Sequence, residues 1–351
     1  MSPRTGLTTG ACAAAAAKAA AMLLSGGDPP GEVALRLPSG DEVRVPILAA
    51  RREGPDAARA SVRKDAGDDP DVTNGLEIQV RVSWTDAADL VFMAGEGVGT
   101  ITKPGLQLAP GEPAINPMPR RMIAAAIREV TSRGVRVEIS IPGGREVAAR
   151  TFNPRLGIQG GLSILGTTGI VRPYCLRAFR DALKCALDVA AACKVTKPVL
   201  VPGNIGARAA FLHFSLAEEQ VIEVGNEWGF ALDMLSRHEF QAVLVLGHPG
   251  KLAKLAAGEW DTHSSRSHQA TQYLNRLCVE VLGRPAPDRT TTEGMFQAMP
   301  DSERDQLANA LADRVQTAVA TRLANRLPVG VVLVDMAGAC LGRSGDLSLW
   351  R

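Results

Sequence analysis

An α+β domain over residues 1–170, followed by an α/β domain with a mainly parallel sheet over residues 171–351, is the two-domain fold the sequence predicts. Three observations lead there. The chain has 351 residues, which is long for a single hydrophobic core. Up to about residue 170, short alternating strand-type segments dominate, with turns between them and few helices. Beyond Val171, continuous apolar runs alternate with helical segments, the texture of a parallel sheet covered on both faces.

The elements follow in order. Ala11–Leu24 is alanine-rich and reads as a buried helix, alanine being the best helix former. Lys18 in its middle, and the Arg-Thr-Gly-Leu-Thr-Thr-Gly run before it, set it apart from a signal peptide. Val33–Leu37 and Glu42–Ile47 alternate around the Pro38-Ser39-Gly40 turn. Arg59–Lys64 and Glu77–Val82 continue the strands, and Asp89–Met93 leads into a glycine run. Pro119–Arg133 is predicted helical, with proline opening its first turn, and strands Val135–Ile141 and Glu146–Arg150 follow.

In the second half, helix Leu176–Ala192 leads to strand Pro198–Val201 and a glycine turn at Gly203–Gly206. Strand Val221–Val224, helix Asn226–Arg237 and strand Gln241–Leu246 come next, then the turn Gly247–Gly250 and helix Lys251–Ala257. Helices Ser267–Leu282 and Ser302–Leu327 precede strand Val329–Val334.

Composition narrows the function classes. Hydrophobic residues make up 46% and charged residues 22%, enough to bury sizeable cores. The formal net charge is +2 with the basic residues scattered, and aromatics are 4%, so neither a polyanion track nor a base-stacking platform for nucleic acid is expected. Six cysteines form no C-x-x-C pair and none sits at zinc spacing from a histidine, so reduced, mostly buried thiols and no protein metal site are expected. No apolar run reaches the ~18 residues that a bilayer span needs, so a cytoplasmic protein without a membrane partner is expected.

Four loops carry the candidate chemistry. Thr5–Gly10 runs into the alanine helix, where Thr8 or Thr9 caps it and its free amides, with Gly10, favour a carboxylate or phosphate; a plain capped helix is the alternative. Asp65, Asp68, Asp69 and Asp71 crowd the second loop beside Lys64, without the EF-hand pattern. That loop suits holding a substrate amide, a proton or a cation, and equally a structural tie through Lys64. In the third, Gly95, Gly97 and Gly99 allow close backbone approach, and Lys103, Arg120 and Arg121 stand near as partners for carboxylates. The fourth runs from Gly157 to Gly169, and its Gly-Thr-Thr-Gly end, with Thr167 and Thr168, echoes the first. Oxyanion binding is the shared preference.

Arg-Thr-Gly-Leu-Thr-Thr-Gly-Ala-Cys-Ala, Lys-Asp-Ala-Gly-Asp-Asp-Pro-Asp-Val-Thr-Asn-Gly, Gly-Glu-Pro-Ala-Ile-Asn-Pro and Gly-Gly-Leu-Ser-Ile-Leu-Gly-Thr-Thr-Gly-Ile-Val, in this order, resemble the cobalt-precorrin-5B C1-methyltransferase family, CbiD. The resemblance runs from Arg4 to the Thr262-His263-Ser264 segment. It implies methyl transfer from S-adenosylmethionine to C1 of cobalt-precorrin-5B, giving cobalt-precorrin-6A in the anaerobic, cobalt-early cobalamin pathway. Cobalt would then enter only as part of the substrate, and neighbouring pathway enzymes become candidate partners. A substrate with several ring carboxylates suits Thr8, Thr9, Gly10, Lys103, Arg120, Thr167 and Thr168.

Methyl transfer needs alignment more than an acid or a base. Asp65 or Asp68 is the candidate to take a proton or to stabilise the donor's positive charge. In an open parallel sheet, ligands bind beyond the carboxyl ends of the strands. Gly203, Asn204, Gly206, Glu227 and Gly247 lie there as candidates for S-adenosylmethionine, with Glu223 or Glu227 for ribose hydroxyls. His248 and His263 read either as helpers or as loop-bridging histidines, and His213 and His238 as structural. A non-catalytic carrier of the corrinoid intermediate is the competing reading; it would share the anion-binding loops but need no methyl donor.

Overall fold

The computed structural model describes residues 3–86 and 89–351, which fall into two compact units that divide between Leu176 and Arg177. The first contains β1 (Gly6–Leu7), α1 (Thr9–Leu24), β2 (Glu32–Arg36), β3 (Glu42–Pro46), β4 (Ala49–Arg52), β5 (Ala57–Arg63), β6 (Glu77–Trp84) and β7 (Val91–Ala94). It continues with β8 (Thr100–Ile101), α2 (Pro117–Arg128), β9 (Val135–Ser140), α3 (Gly144–Ala148), β10 (Ile158–Gln159) and β11 (Ile170–Val171). Its main sheet has the order β4-β5-β6-β9-β7 and is antiparallel except for the β7–β9 pair.

The alanine helix α1 is the axis of this unit. All of it except Lys18 and Met22 is buried, and it packs on α2, β5, β6, β2 and β4. Methyl side chains let elements approach the helix from several sides at once, so the composition that resembles a leader segment builds a core. Lys18, its one charged residue, reaches out to the Ala34 carbonyl at 2.7 Å and pairs with Glu129.

Three sequence readings change in this half. Glu146–Arg150 is not a strand; the turn at Gly143 opens the short helix α3 instead. Helix α2 begins at Pro117 and ends at Arg128, because Asn116 occupies its N-cap and Pro117 its first turn. The unit extends to Leu176 rather than ending at residue 170, since β1 pairs with β11 and the Tyr174 amide donates to Asp69 Oδ1 at 3.0 Å.

The second unit contains α4 (Leu176–Ala192), β12 (Val199–Val201), α5 (Asn204–His213), β13 (Val221–Glu223), α6 (Trp228–Leu235), β14 (Val243–Gly247) and α7 (Pro249–Ala256). It closes with α8 (Ala270–Leu282), α9 (Thr292–Gln297), α10 (Asp301–Arg322), β15 (Val329–Val334) and β16 (Cys340–Ser344). The sheet runs β13-β12-β14-β15-β16, parallel but for the last strand. Val199, Val201, Leu244 and Leu246 face α5, while Leu200, Val243, Val245 and Val331 face α4, α6, α7, α8 and α10. This is the continuous apolar strand pattern of a sheet covered on both faces. Helix α5 leaves β12 on one face and α7 leaves the adjacent β14 on the other, so a topological switch point lies between the ends of β12 and β14.

Candidate functional site

Three of the sequence-marked loops and the start of α2 meet at the N-terminus of α1. Leu7 donates its amide to the Asp65 carbonyl at 2.7 Å, Thr8 to the Gly169 carbonyl at 3.0 Å, and Gly10 to the Leu165 carbonyl at 3.0 Å. A Cβ on Gly10 would lie 2.8 Å from Pro119 Cγ, so glycine is needed where α1 meets the start of α2. Thr8 caps α1, its hydroxyl accepting the Ala11 amide at 3.1 Å. Thr9 Oγ1 accepts the Leu165 amide at 2.9 Å and lies 3.3 Å from the Leu165 carbonyl. Thr8, Thr9 and Gly10 are buried and these groups are spent on the loop 163–169, which corrects the expectation that they face a ligand. Thr167 and Thr168 are exposed on that same loop, and the Thr168 hydroxyl turns back to the Ile170 backbone.

The acidic loop is clasped by the N-terminal segment. Arg4 pairs through its guanidinium with Asp65 and donates its amide to Asp68 Oδ2 at 2.6 Å. The Arg4 side chain, then the Gly67 amide, hold the Asp65 carboxyl below the ordinary carboxylate value. Asp65 and Asp68 are both exposed. Asp71 has another task. Lys64, with its side chain 1% exposed, places Nζ 2.6 Å from Asp71 Oδ2, while Oδ1 takes the Thr73 amide and hydroxyl at 2.8 and 2.6 Å. Burial works against the charged Asp71, but the hydrogen bonds from Lys64 and Thr73 prevail and hold it below its ordinary value. The Lys64–Asp71 pair is the structural tie. Among the described residues no cluster of His, Cys, Asp or Glu is arranged to hold a metal ion.

The glycine run packs against its own chain. A Cβ on Gly161 would lie 2.7 Å from the Val98 amide nitrogen, and one on Gly144 would lie 3.1 Å from Gly97 Cα. Leu162 donates to the Gly97 carbonyl at 2.8 Å, and Gly99 returns its amide to the Leu162 carbonyl at 2.9 Å. Arg120 is also engaged: its guanidinium donates to the Ile115 carbonyl at 2.8 Å and to Glu112 at 2.7 Å, fixing the Gly111–Asn116 connector to α2. The half-buried Lys103 lays its aliphatic stem over Gly157.

Cysteine chemistry finds no support at α1, where burial pushes the Cys12 thiol up to about 12. All six cysteines are free, but only Cys12 and Cys278 are fully buried; Cys175 and Cys340 are exposed, against the expectation of mostly buried thiols.

In the second unit, Gly203 precedes α5 as its N-cap, no side chain caps that helix, and a Cβ on Gly203 would meet no atom within 4 Å. Asn204 beside it is exposed. Gly206 and Gly247 are buried for packing: a Cβ on Gly206 would lie 3.0 Å from the Leu246 carbonyl, and one on Gly247 would lie 2.6 Å from Pro202 Cδ. Those contacts bring the turns after β12 and β14 together at the switch point. Glu227 is 5% exposed and bound to Arg180 at 2.7 Å, so it anchors the start of α6 rather than reaching a ribose. His248 caps α7, accepting the Gly250 amide at 3.0 Å and meeting Glu293 at 2.9 Å, and His263 turns onto Ser265.

Sequence reasoning missed a polar cluster beside these turns. Asn226 Oδ1 accepts Lys251 Nζ at 2.6 Å and the Thr262 hydroxyl at 3.2 Å. Lys254 Nζ reaches the Thr262 carbonyl at 3.1 Å and Ser267 Oγ at 2.7 Å. Lysines in a helix that follows a strand ordinarily mark a solvated face, so spacing alone carried no signal.

Comparison with known proteins adds descent to geometry. The family model for CbiD matches residues 1–173, and that for the CbiD C-terminal domain matches residues 261–345. A Syntrophotalea carbinolica protein named cobalt-precorrin-5B C(1)-methyltransferase is 54% identical over 346 residues, covering 99% of this chain and 98% of its own. One of the same name from Alkaliphilus metalliredigens is 38% identical, covering 95% and 90%. The crystal structure of a cobalamin biosynthesis protein (cbiD) from Archaeoglobus fulgidus matches at 32% identity over 75% of this chain and 83% of its own, with a TM-score of 0.40. Similarity at this level over nearly the whole length shows that the chain belongs to the CbiD family.

Proposed function

We propose that the chain is a cytoplasmic methyltransferase that moves the methyl group of S-adenosylmethionine to C1 of cobalt-precorrin-5B, giving cobalt-precorrin-6A in the anaerobic branch of cobalamin synthesis. The names of its relatives support the substrate and the position methylated. The observation that carries the donor assignment is the switch point between β12 and β14, where Gly203 stands open before the uncapped N-terminus of α5. Ligands of open parallel sheets bind at such a crevice.

The chain's own groups divide the work. Thr167, Thr168 and Lys103 in the first unit offer donors to the ring carboxylates. Gly203 and Asn204 offer the α5 amides to the donor, with Gly206 and Gly247 keeping the two turns close. Asp65, kept ionised by Arg4, is a fixed negative charge rather than a proton acceptor. Asp68 is the carboxylate left to take a proton. The methylated carbon is part of a conjugated ring, which supplies its own electrons, so alignment is the protein's main contribution.

The test is incubation of the full chain with cobalt-precorrin-5B and S-adenosylmethionine. The expected product has gained one methyl group and S-adenosylhomocysteine accumulates in equal amount. Binding of the corrinoid with no methyl gain and no donor binding would leave the carrier reading in its place.

A further inference from the structure

We infer that Lys251, with Asn226 and Lys254, forms a binding site for the α-carboxylate of an amino-acid-bearing ligand beside the switch point of the second unit. It rests on the reading above in taking that ligand to be S-adenosylmethionine, whose methionine tail carries such a carboxylate.

Three separate segments build the cluster. Asn226 follows β13, Lys251 lies in the first turn of α7 after β14, and Thr262 comes from the stretch before α8. Thr262 is fully buried and Lys254 is 7% exposed, whereas Lys251 and Asn226 are half-buried and so remain reachable from solvent. Both ammonium groups bear on one carbonyl, that of Thr262, at 3.3 and 3.1 Å.

The cluster has no directly paired carboxylate among the described residues. Among the described residues neither Lys251 nor Lys254 has a carboxylate within 4 Å, and their recorded partners are an amide, a hydroxyl and a carbonyl. The carboxylates nearby have other partners: Asp261, which bears on Lys251 from a distance, pairs with Arg266 at 2.9 Å, Glu259, which bears on Lys254, is held by His268, and Glu227 pairs with Arg180 at 2.7 Å. Two cations so close repel one another, and Lys251 also sits where the helix end carries positive partial charge. Burial, and then the Lys254 charge, hold the Lys251 ammonium below its ordinary value. A bound anion offsets the repulsion between the two ammonium groups.

The donor count favours a carboxylate. Lys251 uses two of its three protons on Asn226 Oδ1 and the Thr262 carbonyl, which leaves one. Because Asn226 Oδ1 accepts from Lys251 and Thr262, its amide nitrogen is left to donate elsewhere. One ammonium proton and one amide group are a match for the two oxygens of a carboxylate.

The experiment compares S-adenosylmethionine with its decarboxylated analogue by calorimetry on the full chain, in the wild type, Lys251→Met and Lys251→Arg. The wild type is expected to prefer the carboxylated ligand by about 10- to 100-fold, the scale of one charge-assisted hydrogen bond. Lys251→Met is expected to erase the preference by weakening the carboxylated ligand without weakening the analogue, which also shows the site intact, and Lys251→Arg to retain part of it. A preference that survives in Lys251→Met overturns the inference. A second measurement does not depend on the donor: acylation of Lys251 by acetic anhydride, mapped by mass spectrometry, with and without free L-methionine. Protection of Lys251 by methionine supports the site even if S-adenosylmethionine fails to bind, in which case only the donor assignment falls. The absence of both protection and discrimination overturns the site itself.

Discussion

In the first unit Gly97, Gly144 and Gly161 press backbone against backbone, whereas in the second Gly203 faces open space and begins a helix that no side chain caps. The threonines divide in a similar way. Thr8 and Thr9 point inward and hold a loop, and Thr167 and Thr168 on the far side of that loop are exposed. A glycine or threonine run therefore reports that something comes close to the backbone, and the fold decides whether it is another part of the chain or a ligand.

The comparison breaks most severely at Gly97. Its φ is +71°, and a Cβ there would press on the Ile141 carbonyl and lie 3.1 Å from Gly144 Cα. Gly97→Ala should lose about 2–5 kcal/mol, the sum of overpacking and left-handed strain. Urea unfolding measures it; a change within error would mean that the run is not a packing device.

Next in size is Asp71→Ala, which leaves Lys64 buried without its partner, at a cost of about 3 kcal/mol. The folded state holds Asp71 below the ordinary carboxylate value, so its contribution is whole at neutral pH and persists down to the ordinary carboxylate range. It is then lost as pH falls through the lower folded-state value. The gap in stability between wild type and variant should narrow in acid, and a gap that widens there would reverse the assignment. Asp65→Asn should behave differently, because Asp65 is exposed and its tie to Arg4 is screened by water.

Smaller again is Thr9→Val, which keeps the side-chain volume but leaves the Leu165 amide without the hydroxyl it now donates to. About 1–2 kcal/mol should be lost. Thr167→Val and Thr168→Val on the exposed side should leave stability unchanged and lower affinity for the corrinoid. Equal effects from Thr9 and Thr167 on binding would erase the distinction between the inner and outer threonines.

How much of this is legible in the sequence depends on what each pattern measures. Helix Leu176–Ala192 and strand Val329–Val334 are readable because burial imposes a period, or a continuous apolar run, on many residues at once. Helix α3 is not: five residues after a glycine turn carry too little periodicity, and Val147 suggests a strand. The four loops are readable as motifs, and three of them do meet at α1, but composition cannot say which way a hydroxyl turns. The Lys251 cluster is illegible because Asn226, Lys251 and Thr262 are far apart in the chain, and only the parallel strand order brings them together.

Gly203→Ala should have the smallest effect on stability, and for that reason it sharpens the comparison most. Its φ of 162° is extended backbone open to any residue, and a Cβ would have no atom within 4 Å, so the change should stay within about 0.5 kcal/mol. The same methyl group would occupy part of the open space before α5, where the donor is placed. If glycine is kept there for a ligand, binding of S-adenosylmethionine weakens while the unfolding curve does not move. If it is kept for folding, as at Gly97, the two change together. Unchanged binding with unchanged stability would remove the donor from this turn and leave the Lys251 cluster as the feature of the carboxyl edge that a ligand would recognise.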